Sequence, residues 1–221
     1  LASIIHPGAD FIGWQDVDTW ISFPRLYAFL RSIPEQGRPN AYIGLPQYMQ
    51  NRTNLGTSIL PIFSSFSWSC RPGSLFFAQG MLTFFGRELA KSLGKMEEYL
   101  LSFQLYDQKK KGSKCVAPSD VTPGFLIARN PFLKKIRIYA TYSVFQVWPV
   151  YYSYKVHTNV AVHFLHRARI IENAIYYTNR THDARYSAPM QWLCKEECSN
   201  KSWTICIPKF GKALLNSSAP V

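Results

Sequence analysis

Short apolar runs of strand length alternate along this chain with segments whose apolar residues recur every three to four positions, and this alternation most constrains the fold. Residues 9–14 carry Phe11, Ile12 and Trp14 as a first buried strand. Ser22 is placed to cap a helix, Pro24 suits its first turn, Leu26, Phe29, Leu30 and Ile33 keep helical spacing, and Pro34 ends it. Residues 42–45, 134–139, 144–148 and 160–165 read as further strands. Residues 74–85 are apolar around Gly80, and 51–58 are polar enough for a loop. Helices are predicted over 87–93, ended by Gly94, with continuation over 95–106, then from Asp120 behind the cap Ser119 and covering 125–129, and over 170–177. Strands alternating with helices predict an α/β fold built on a sheet.

The 221 residues are 47% hydrophobic, enough for a substantial core, which excludes a disordered chain. Apolar stretches are cut by Pro34, Pro61, Arg87, Lys155 or His163 before reaching the roughly 20 residues that cross a bilayer. The length suits one large domain or two small ones. Lys+Arg exceed Asp+Glu by 25 − 13 = +12. That charge is diffuse, with one short run at Lys109, Lys110, Lys111 and Lys114, and such a run reads as a solvated loop. Strand tracking on nucleic acid needs basic stripes interleaved with aromatic residues. Here Tyr151, Tyr152 and Tyr154 sit in an apolar run, so nucleic acid is not the expected partner. A nucleic-acid-binding module is supported by net charge alone, and steep salt dependence would be its signature. The charge equally suits a sugar-nucleotide diphosphate or an anionic membrane surface.

Three of the five cysteines, Cys194, Cys198 and Cys206, lie close together with C-x3-C-x7-C spacing. This lacks the paired C-x2-C knuckles of zinc sites, so disulfide bonding is expected, with Cys70 and Cys115 as a further pair and one cysteine left over. Asn-x-Ser/Thr triplets at Asn51, Asn179, Asn200 and Asn216 fit a lumenal glycoprotein.

Candidate chemistry falls at three separated places. Asp16 and Asp18 flank Val17 in a turn after the first strand, and two carboxylates so spaced can face one side and hold Mg²⁺ or Mn²⁺ carrying substrate phosphates. Asp-x-Asp is common in surface turns, but this one lies between Phe-Ile-Gly-Trp and Trp-Ile. Asp120 opens the segment Ser119-Asp120-Val121-Thr122-Pro123-Gly124-Phe125, either as a first-turn charge favoured by the helix dipole or as a general base toward a hydroxyl. His163, with His166 close behind, shares a side of its strand with Ala161 and Leu165 and reads either as a core histidine or as an imidazole ligand.

Taken in order, these segments resemble the family 31 β-1,3-glycosyltransferases. Residues 11–21 (FIGWQDVDTWI), Leu26-Tyr27-Ala28-Phe29-Leu30 and Tyr42-Ile43-Gly44 are similar to that family's strand, acidic turn, helix and Tyr-Ile-Gly strand. Residues 78–90 (AQGMLTFFGRELA) are similar to its glycine-rich acceptor segment, residues 119–125 to an Asp-Asp-x-Thr-x-Gly-Tyr segment of the Fringe-like branch, and Val162-His163-Phe164 to its His-aromatic strand. Val17 replaces the middle acid of the family's turn, Ser119 replaces one acid of its pair, and only Gly80 remains of the glycines.

The resemblance implies a GT-A-type fold with a mixed, mostly parallel sheet flanked by helices, and inverting, Mn²⁺-dependent transfer of a hexose or N-acetylhexosamine from a UDP-sugar to a glycan or glycoprotein acceptor. Asp18 would be the direct metal ligand, Asp16 would support the metal or donor, His163 would be the distal ligand, and Trp14 would lie on the donor side. Asp120 would be the catalytic base, with Gln79 and Gly80 on the acceptor side. The same resemblance leaves a glycan-binding relative without turnover as the alternative. It divides the chain into a partial catalytic domain, 1–185, and a cysteine-containing extension, 186–221. Only 15 residues precede Asp16 and the chain opens on Leu1, so a nucleotide-binding half and a membrane anchor are expected upstream, in a Golgi or other secretory-pathway protein facing the lumen. Weak UDP binding, or none, by these residues alone is the corresponding expectation.

Overall fold

A computed structural model of the protein describes residues 6–50, 58–60, 74–78, 81–96, 123–124, 126–127, 130, 133, 135–141, 144–146, 159–163, 170–183, 186, 188–189, 191–198 and 202–210. The first strand, β1 (Phe11–Gln15), is followed by the two-residue β2 (Trp20–Ile21) and helix α1 (Phe23–Arg31). Strands β3 (Ala41–Gly44), β4 (Pro46–Gln50), β5 (Ser58–Leu60), β6 (Ser74–Ala78) and β7 (Leu82–Gly86) lead to helix α2 (Arg87–Gly94). Strands β8 (Lys135–Ala140), β9 (Phe145–Gln146) and β10 (Ala161–Val162) precede helix α3 (Ile170–Asp183), and β11 (Gln191–Cys198) and β12 (Ser202–Lys209) complete the described elements.

The main sheet has the order β1-β7-β3-β8-β12-β11. Its middle pairs, β3 with β8 and β8 with β12, are parallel, whereas the pairs toward both edges are antiparallel. Strands β1, β3, β8 and β12 therefore share one direction, giving the mixed, largely parallel α/β sheet expected from sequence. Both faces are covered. Leu26, Phe29 and Ile33 from α1 and the turn after it pack with Ile43, Met81, Tyr139 and Trp192 on one face. Leu89 of α2 packs with Tyr42, Phe85, Ile136, Ile138 and Ile205 on the other. Alternation along each strand produces this split, with Tyr42 and Ile43, or Ile138 and Tyr139, pointing to opposite faces.

Local signals explain the helix ends. Ser22 is the N-cap of α1, but its side chain makes no cap bond; its backbone N–H instead donates to Val160 O at 2.9 Å, tying the helix start to β10. Helix α2 stops at Gly94, where Lys95 N donates back to Lys91 O at 3.3 Å, Met96 N donates to Leu93 O at 3.0 Å, and Met96 turns inward to a buried position. The expected continuation past Gly94 is thus absent at Lys95 and Met96, and residues 97–106 lie outside the described residues. Gly86 precedes α2 where the chain crosses Pro39: Glu88 N and Leu89 N donate to Pro39 O at 2.9 and 3.1 Å, and a Cβ on Gly86 would collide with the Arg38 and Pro39 carbonyls.

Residues 191–209, set apart from sequence as part of an extension, supply two strands of the main sheet. β12 lies parallel to β8, and β11 pairs antiparallel with β12 in a register that places Cys194 opposite Cys206, which form a disulfide. Trp192 packs edge-on against Tyr139 and Phe29, at 4.8 and 5.6 Å between ring centres, and donates its indole N–H to Ser32 O at 3.1 Å. Cys70 and Cys115 lie outside the described residues.

Candidate metal centre

The acidic turn is built by hydrogen bonds on both of its flanks. Strand β1 pairs with β7 from Phe11↔Gly86 to Gln15↔Leu82, and the ladder is extended by Asp16 N donating to Met81 O at 3.1 Å. Thr19 N then donates to Asp16 O at 3.1 Å, closing a four-residue turn with Val17 at its tip. Val17 is fully exposed (100%), so its side chain points away from the core. Val17, between the two carboxylates, therefore occupies the position of the turn that faces only solvent.

Beyond the turn, β2 pairs antiparallel with β10, Ile21 opposite Ala161 and Trp20 opposite Val162. One step further along this ladder brings Thr19 level with His163, beside Asp18. Strand β10 is in turn parallel to β9, and Val160 N donates to Val144 O at 2.8 Å. Residues far apart in sequence thereby meet: His163 Nε2 lies 3.2 Å from Asp16 Oδ2 and 3.2 Å from Asp18 Oδ1. The three ligand atoms all lie within 4.8 Å of one another. The imidazole is buried, with 6% of its side chain accessible, whereas the carboxylates of Asp16 and Asp18 keep 44% and 29%. The cluster is a cup with a nitrogen at its floor and two oxygens at its rim.

This donor set fits a divalent cation. Around an ion with bonds of about 2.1 Å, neighbouring octahedral ligands stand about 3 Å apart, close to the observed nitrogen–oxygen spacings. Two carboxylate oxygens and one imidazole suit Mg²⁺ or Mn²⁺ and leave room for oxygens of a substrate. Among the described residues, no lysine or arginine forms an ion pair with Asp16 or Asp18. Asp16, Asp18 and His163 can thus form a metal site, and His163 sits at the buried end of a ligand cluster rather than in a purely apolar core.

Trp14, expected near the donor, is 38% exposed, and its ring lies 5.1 Å from Phe85. Asp120, Gln79, Gly80 and His166 lie outside the described residues, as does the run Lys109–Lys114. Helical residues 123–124 and 126–127 match the helix expected behind Ser119.

Arg25 is a buried charge that binds the backbone leading to His163. It is 4% exposed on the inner face of α1 and donates to Asn159 O at 3.0 Å, four residues before His163. Its guanidinium also stands 5.5 Å from the centre of the Tyr186 ring. Burial lowers the Arg25 pKa, and burial raises that of Tyr186, partly offset by the Arg25 charge. The available signal was spacing: Arg25, Phe29 and Ser32 fall on one helix face, which makes an arginine there a buried one.

No known protein-family model and no curated protein sequence matches this chain.

Proposed function

We propose that the chain carries the metal centre of an inverting glycosyltransferase that moves a hexose or N-acetylhexosamine from a UDP-sugar to a hydroxyl of a glycan or glycoprotein acceptor, forming a β-1,3 linkage. The convergence of Asp16, Asp18 and His163 within 4.8 Å carries this reading, because the acidic turn and the histidine strand are distant in sequence and the resemblance makes both of them ligands. Asp18 and Asp16 would hold Mn²⁺ from the rim and His163 from the floor. When bound, the ion supplies positive charge against that developing on a departing diphosphate. The exposed rim gives an anionic donor access, and the half-exposed Trp14 offers an apolar surface nearby in sequence. In this reading Asp120 takes the proton from the acceptor hydroxyl as it attacks the anomeric carbon. One such base suffices for inversion, whereas a double displacement also needs a nucleophile.

Gln79 and Gly80 belong to the acceptor side in the same reading. The Cys194–Cys206 disulfide is compatible with a lumenal or secreted location, and no helix among the described residues is long and apolar enough to cross a membrane. A Golgi lumen, with an anchor outside this sequence, completes the proposal.

The test is UDP release from UDP-hexoses and UDP-N-acetylhexosamines by the full-length protein, with and without Mn²⁺ and a glycan acceptor. Release that requires Mn²⁺ and is lost in Asp18→Ala and Asp120→Asn supports the reading. Normal transfer rates in both variants would contradict it.

A further inference from the structure

The metal centre joins two parts of the chain through a ladder only two residues long on each side, Trp20–Ile21 and Ala161–Val162. Two-residue strands are short for holding three ligand atoms in register, since each contributes so few backbone bonds. Helix α3 packs on both. Tyr177, 1% exposed, shares a cluster with Val162, the residue before His163, and with Trp20, two residues after Asp18. The Trp20 and Tyr177 rings lie 5.7 Å apart. The Trp20 indole N–H donates to Thr178 Oγ1 at 3.2 Å, and that hydroxyl donates to Ala174 O, one helical turn back, at 2.7 Å. With its proton on Ala174, the Thr178 oxygen presents a lone pair toward the indole.

The geometry points to Trp20 and Thr178 as positioning residues for the metal centre, with α3 as the brace that fixes β2, and hence Asp18, against the His163 strand. This rests on the reading of Asp16, Asp18 and His163 as a cation site. Neither residue belongs to the ligand cluster of Asp16, Asp18 and His163. Their hydrogen bond sets the rotation of the Trp20 ring, and the ring sets the backbone that leads back to Asp18. Ligand supports of this kind act on affinity through preorganisation.

Thr178 is exposed, so its substitution leaves no buried cavity. The experiment is Mn²⁺ titration by calorimetry of wild type, Thr178→Val, Thr178→Ser, Trp20→Phe and the double variant Trp20→Phe/Thr178→Val, with thermal melts of each without metal. Loss of one hydrogen bond should weaken Mn²⁺ binding about threefold to tenfold in Thr178→Val and in Trp20→Phe. The double variant should be no weaker than the weaker single variant, and Thr178→Ser should bind like wild type. Wild-type affinity in Thr178→Val, or losses that multiply in the double variant, would overturn the brace while leaving the cation site standing. A wild-type protein that takes up no Mn²⁺ would overturn both.

Discussion

Strand β1 has carboxylates at both ends, and among the described residues arginines pair with only one end. At its start, Asp10 lies 3.2 Å from Arg87 and 3.6 Å from Arg38. Both arginines are also fixed to backbone carbonyls: Arg38 donates to Ile33 O and Arg31 O, and Arg87 to Ala9 O. Together with Glu35, Pro39 and Glu88 they line a cleft of about 400 Å³. This cluster ties the start of β1 to the end of α1 and the beginning of α2. At the other end of the strand, Asp16 and Asp18 share a single imidazole. Two carboxylates brought together without a lysine or arginine repel each other, a cost that a bound divalent cation removes. Matched charge makes the first cluster a structural clamp, and the second cluster has the donor set that can hold a cation.

The contrast is most sharply broken by exchanging effects between the ends. Asp18→Ala should weaken Mn²⁺ binding by more than about 100-fold, since even outer residues supporting a metal ligand cost 10-fold to 100-fold. Without metal, its unfolding midpoint should be unchanged or higher, because a repulsion is removed; a clear loss of metal-free stability would put Asp18 on the structural side. Gly86→Ala, beside the Asp10 cluster, should destabilise by about 3 kcal/mol in urea unfolding, because its Cβ meets backbone carbonyls that cannot turn aside. Folded Gly86→Ala protein should still bind Mn²⁺ normally.

Asp10→Asn should cost about 1 kcal/mol, since its side chain is 53% exposed and such pairs are individually weak. That cost should shrink in molar salt, with Mn²⁺ affinity unmoved. The smallest effect belongs to neither end. Burial raises the pKa values of Tyr139 and Tyr186, so above about pH 10 the unfolded chain loses protons that the native protein keeps. Stability should therefore be full below that pH and fall as pH rises past it, and Tyr186→Phe should lessen the fall, as measured by melts across the alkaline range.

The sequence made much of this contrast legible at the metal end and little of it at the other. Asp16, Asp18 and His163 were readable because each stands in a strand or turn with a strong local apolar pattern. The helix over Phe23–Arg31 was readable from its own periodicity and Pro34. The Asp10 clamp was not, because Arg38 and Arg87 come from separate elements and only the sheet order brings them to one strand end. The contact of Trp20 with Thr178 spans 158 positions and leaves no periodic trace. Strand β11 was hidden by Lys195-Glu196-Glu197 between Cys194 and Cys198, which reads as a polar surface run, although Trp203, Ile205 and Ile207 alternate in β12 as a strand should.

The most direct measurement is electron paramagnetic resonance of Mn²⁺ titrated into wild type, into Asp16→Asn, Asp18→Asn and His163→Ala singly, and into the triple variant that combines them. Wild type should bind one saturable Mn²⁺ per chain, with weakened binding in each single variant and none in the triple variant. Saturable binding that survives in the triple variant, or no saturable binding in wild type, would contradict a metal centre built by these residues.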